Sequence, residues 1–83
     1  MMKNITVLFF ATLRDRAETG SVKMEIPPST TVASLKDMLD EKFTSFNGLA
    51  HHSIVAINRE YAFEEFEIPN GAEVALFPAV SGG

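Results

Sequence analysis

One stretch, STTVASLKDMLDEKFTSF (residues 29–46), limits the fold more than any other. Val32, Leu35, Met38, Leu39, Phe43 and Phe46 recur at helical spacing and form one apolar stripe. The hydroxyl of Thr30 or Thr31 is placed to accept from an orphan N–H as N-cap, and Asn47-Gly48 reads as the stop. Lys36, Asp37, Asp40 and Glu41 are expected on the wet side. This is the one convincing helix in 83 residues. The rest of the core must therefore come from strands, and one helix covers one face of a sheet.

The flanking segments supply those strands. In ITVLFFATL, Ile5, Val7, Phe9 and Ala11 point one way and Leu8 and Phe10 the other. SVKMEIP alternates with Val22, Met24 and Ile26 on one face, and Pro27-Pro28 stops it. The two are expected to pair as an antiparallel hairpin across the polar connection RDRAETG. SIVAIN reads as a third strand. REYAFEEFEIPNGA reads as an irregular stretch with a turn at Pro69-Asn70-Gly71, and EVALFP as the last strand. Strand, strand, helix, strand, irregular segment, strand is the order of an α+β β-grasp. That fold is a mixed sheet of about four to five strands on one main helix, here a single domain over residues 1–83. Another α+β split sandwich gives a similar order.

The first and last strands carry bulky apolar residues on both faces, although a face without a helix should read polar. If these strands are neighbours, Leu8, Phe10, Ala75 and Phe77 share an apolar patch on the bare face. Such patches mark partner surfaces. The alternative is that loops fold over that face.

Charge and cysteine content narrow the function. A net charge of −4 and a pI near 5.0, with scattered Lys and Arg, lack the electrostatic footprint of a nucleic-acid binder and disfavour an anionic membrane. With no Cys there is neither thiolate nucleophile nor zinc-thiolate site, and any sulfur chemistry must use sulfur delivered from outside. The apolar run after Lys3 lacks a small-x-small cleavage site and meets Arg14, Asp15 and Arg16 directly, so it reads as a buried strand of a cytoplasmic protein.

The sequence ends LFPAVSGG. Pro78 ends strand pairing, and residues 79–83 form a flexible tail that, extended, reaches roughly 17 Å. Gly82 and Gly83 have no Cβ, so their backbone can thread a channel that excludes side chains. Besides the Ser81 hydroxyl, the reactive group is the α-carboxylate of Gly83. It can attack the α-phosphate of ATP to give an acyl-adenylate, from which a sulfur nucleophile displaces AMP and leaves a thiocarboxylate. The bland reading is a frayed end or an engineered scar.

VLFFATLRD, TVASLKDML, VAINREY and EVALFPAVSGG, in this order and nearly end to end, resemble the small subunits of molybdopterin synthase, a family of ubiquitin-like sulfur carriers. The ending is the most specific of the four. The resemblance implies that a ubiquitin-activating-like adenylyltransferase uses ATP on Gly83 and that a sulfur donor protein forms the thiocarboxylate. It also implies that the tail, with Ser81 and Gly82, enters a large synthase subunit, in a heterotetramer. There the sulfur attacks a cyclic pyranopterin monophosphate to build the molybdopterin dithiolene. The chain is then a non-catalytic sulfur-donor subunit that binds no cofactor or metal itself. The family's partner contacts map to Phe10, Arg14, Tyr61 and Phe77, and two of these also belong to the bare-face patch.

Other features stay on the structural side. His51 and His52 read as surface-loop residues, Glu64, Glu65 and Glu67 as a solvated face, and Met24 and Met38 as core filler. Three rival functions remain open: a sulfur carrier for the thiamine thiazole, a ubiquitin-like modifier, and a β-grasp interaction module with an inert tail.

Overall fold

A computed structural model describes residues 1–79. The expected alternation forms β1 (Lys3–Phe9), which buries Ile5, Val7 and Phe9. It pairs antiparallel with β2 (Ser21–Ile26), Lys3 opposite Ile26 and Leu8 opposite Ser21. The first strand is shorter than its apolar run, because Ala11 lies at φ 52, ψ −127. The bend there is closed by the Leu13 N–H donating to the Phe10 carbonyl at 3.1 Å, and it turns Leu13 into the core. The connection read as a polar loop therefore contains a short helix, α1 (Thr12–Ala17).

The main helix, α2 (Val32–Lys42), is N-capped by Thr31, whose Oγ1 accepts from the Ser34 N–H at 3.2 Å. It buries Val32, Leu35 and Leu39. The helix stops before Phe43, although the apolar spacing continues to Phe46. Phe43 leaves helical backbone and a 3-10 turn, Thr44–Phe46, follows. Both rings meet Phe9 edge-on, at 5.3 and 5.4 Å, and stack on each other at 5.0 Å. This aromatic cluster, not helical continuation, accounts for their spacing. The chain then reverses through Asn47 and Gly48 at φ 51 and 85, so the stop expected for the helix closes the 3-10 turn instead.

Two residues of α2 assigned to the wet side are not simply solvated. Lys36 is buried, its ammonium 2.9 Å from Glu64. The Asp40 carboxylate accepts from the N–H groups of Ala50 and His51, both at 3.0 Å, and so caps a second 3-10 turn, Leu49–His52.

The remaining strands are β3 (Ser53–Ile57), the two-residue β4 (Glu60–Tyr61), and β5 (Glu73–Pro78). The sheet order is β2-β1-β5-β3-β4, with β1 and β5 parallel and the other pairs antiparallel. Five strands gripping α2 on one face are the expected β-grasp. Between β4 and β5 the chain wraps α2: the carbonyls of Phe66 and Glu64 accept from the N–H groups of Val32 and Ala33 at 3.0 and 2.9 Å. These are first-turn donors that have no partner within the helix. The Pro69–Ala72 turn forms as read, with Gly71 at φ 80, where a side chain would be strained.

Candidate partner-docking site

Alternation and register decide what the bare face carries. With Val7, Phe9, Val74 and Leu76 in the core, Leu8 lies opposite Ala75 on the other face. One step further along both strands, Phe10 and Phe77 stack, with centroids 4.7 Å apart and planes at 11°. β3 brings Ile54 opposite Phe77 and Ala56 opposite Ala75, and β4 brings Tyr61 opposite Ala56. The β2 side of the same face carries Lys23 and Glu25, which register with Thr6 and Asn4. The face is thus polar over β2 and apolar over β5, β3 and β4.

A groove of about 360 Å³ runs along the apolar half, lined by Leu8, Phe10, Ala56, Arg59, Tyr61, Glu73, Ala75 and Phe77. Five of the six residues expected to bind a partner meet here. No loop of the described residues closes over it, since Phe10 keeps 40% and Tyr61 81% of its surface in water. A larger hollow, about 790 Å³, is lined by Lys23, Glu25 and Lys42 with Asn4 and Thr6, and lacks an aromatic anchor. The apolar groove is the better docking site on chemical grounds.

Arg14 is the exception. It is on α1, outside the groove lining, with its side chain beside Gly20. Three groove residues had no place in the sequence reading: Ala56, Arg59 and Glu73. The first had a signal, because in SIVAI the residues alternate with Val55 and Ile57, which are core. Asn58 and Arg59, at φ 50 and 74, form the two-residue turn between β3 and β4. Asparagine tolerates such a turn, but arginine is a poor substitute for the favoured glycine, at a cost of roughly 1 kcal/mol.

The acidic stretch has structural partners. Glu64 pairs with Lys36, and Glu67 lies 3.3 Å from the Lys3 ammonium, which also donates to the Ile68 carbonyl at 2.9 Å. His51 and His52 pack edge-on at 5.4 Å in their 3-10 turn. Among the described residues no group of histidine and acidic side chains comes together to hold a metal, and no helix is long and apolar enough to cross a membrane. Ser81, Gly82 and Gly83, the residues on which the tail chemistry falls, lie outside the described residues. Ala79 is the last described residue, directly after β5.

A mixed five-stranded β-grasp sheet with one face covered by a helix defines a ubiquitin-like protein. The chain belongs to the ThiS family, whose sequence model matches residues 7–83. It is 34% identical over 83 residues to a Drosophila yakuba protein named molybdopterin synthase sulfur carrier subunit, covering 96% of this chain and 91% of that one. An Arabidopsis thaliana protein of the same name is 29% identical, with 95% and 82% covered. The crystal structure of small archaeal modifier protein 1 from Haloferax volcanii superposes with a TM-score of 0.80 at 27% identity, covering 94% of this chain and 99% of that one.

Proposed function

We propose that this protein is the sulfur carrier subunit of a molybdopterin synthase. The observation that carries the reading is the apolar groove, whose Phe10–Phe77 end lies one residue from the strand exit at Pro78. A partner seated there holds the body beside the point where the chain leaves β5. The relatives that carry the sulfur carrier name support the same role, and they align along nearly the whole chain.

In this reading the Gly83 carboxylate attacks the α-phosphorus of ATP, held by an adenylating enzyme, and pyrophosphate leaves. A persulfide sulfur on a donor protein adds to the acyl carbon and AMP leaves; a thiol then attacks the donor-side sulfur of the resulting acyl disulfide, forming a disulfide on the donor and leaving the thiocarboxylate on Gly83. The groove then docks on the large subunit, where the terminal sulfur attacks a side-chain carbon of the cyclic pyranopterin monophosphate and displaces its oxygen substituent; water then cleaves the acyl–sulfur bond, leaving the sulfur on the pterin and a carboxylate on Gly83. The carrier provides the sulfur atom and a rigid handle, and the partner provides substrate binding and acid–base groups.

Intact mass spectrometry tests the loading step. After incubation with the adenylating enzyme, ATP and a sulfur donor, the chain should gain the mass difference between sulfur and oxygen at its C-terminus. A fully active mixture that leaves the mass unchanged would overturn the reading.

The likeness to small archaeal modifier protein 1 favours a second role as a protein modifier, which shares the chemistry as far as the adenylate. Lysine conjugates that vanish on deleting Gly83 would support it.

A further inference from the structure

We propose that Arg59 fixes the direction in which a partner lies in the groove, by pairing with a partner carboxylate that flanks an apolar side chain. The inference rests on the groove being the docking face. It starts from a backbone conformation that the residue type disfavours. Arg59 sits at φ 74 in a turn where glycine is preferred. The neighbouring residue already holds that turn. The Asn58 N–H donates to the Glu73 carbonyl at 2.8 Å, and its Oδ1 accepts from the Glu73 N–H at 3.0 Å. The main chain is therefore pinned without any help from the arginine side chain.

That side chain is 89% exposed. Its one carboxylate neighbour among the described residues is Glu73, at 4.0 Å from Nε. A strained, exposed and loosely engaged cation on the rim of an apolar groove has no explanation within the fold, and such outliers gather where a partner uses them.

Its position supplies the reason. Arg59 is the one cation among the groove-lining residues. It stands beside Glu73, where β5 begins, and Phe77 lies four residues along the strand, about 13 Å away. The groove therefore has a charged end and an aromatic end, and the chain leaves β5 at the aromatic one. Apolar contact along the groove is non-directional and accepts a partner ridge either way round. One ion pair at the far end removes that symmetry. With Glu73 near Nε, the Nη1–Nη2 edge can donate in bidentate fashion to a carboxylate. The partner so defined presents an apolar side chain to Phe10 and Phe77 and an aspartate or glutamate to Arg59. Reversed docking would set that carboxylate beside the aromatic pair and put the strand exit at Pro78 at the wrong end of the partner.

Binding of the full chain to the purified molybdopterin synthase large subunit of the same organism tests this, with melting temperature measured on each variant. Arg59→Gly should raise Tm by about 4 °C by relieving the turn, yet weaken affinity about tenfold. Arg59→Glu should weaken it further, and Arg59→Lys should recover part of the loss. Added salt should weaken the native complex more than the Arg59→Gly complex. If Arg59→Gly and Arg59→Glu bind like the native chain while Phe77→Asp abolishes binding, the groove reading stands and the role of Arg59 falls. If Phe77→Asp binds like the native chain, the groove reading itself falls. A drop in both Tm and affinity for Arg59→Gly would mark Arg59 as a structural residue and overturn the proposal.

Discussion

At the scale of single residues, Ala11 decides where the first strand ends. Its φ of 52 with ψ of −127 suits a residue without a Cβ, and it lies between the strand that carries Phe9 and the helix that buries Leu13. Ala11→Gly should therefore stabilise the fold by about 1 kcal/mol, raising Tm by roughly 4–8 °C, as thermal unfolding would read directly. The same residue shows where the sequence stopped being legible. FFATL is apolar but for Thr12, a good strand former, so the pattern carries a strand through Ala11, and nothing in an alanine announces a positive φ. Leu8, Phe10, Ala75 and Phe77 were legible for the opposite reason. They break an alternation that Val7, Phe9, Val74 and Leu76 establish, and a broken pattern identifies a face.

Among the elements, short ones escaped and long ones did not. β4 has two residues and α1 six, fewer than a period-based reading needs, and both depend on their neighbours for partners. The segment wrapping α2 was read as irregular, and it is, but it works as a clamp. Its carbonyls satisfy the first turn of the helix and Glu64 answers the buried Lys36 ammonium. Lys36 looked solvated because its charge was visible in the sequence and the chain that covers it was not. Removing the half-exposed partner should cost more than removing the charge. Glu64→Ala strands a buried ammonium and is expected to lose about 1–2 kcal/mol. Lys36→Met keeps the aliphatic stem and should lose less than about 1 kcal/mol. Urea unfolding of both variants measures the order, and a negligible loss for Glu64→Ala would mean that Glu64 acts only through its backbone.

For the whole molecule, the buried core draws on residues from Ile5 to Leu76. Deleting residues 80–83 should leave Tm within about 1 °C of the full chain, since every described core residue remains. The same truncation should abolish sulfur transfer, and a melting scan paired with a transfer assay reads both. The β-grasp was legible from element order because one helix and doubly apolar first and last strands leave few arrangements. Strand adjacency, with β5 between β1 and β3, was beyond the sequence, since pairing depends on long-range register rather than on local pattern.

That central placement has a mechanical consequence. β1, near the N-terminus, and β5, which leads into residues 79–83, run parallel and side by side. A pull on the two ends of the chain loads their ladder in shear, so its evenly spaced, slanted bonds share the force instead of opening one by one. A body tugged by its two ends is thereby gripped along that whole ladder rather than peeled from one end of it.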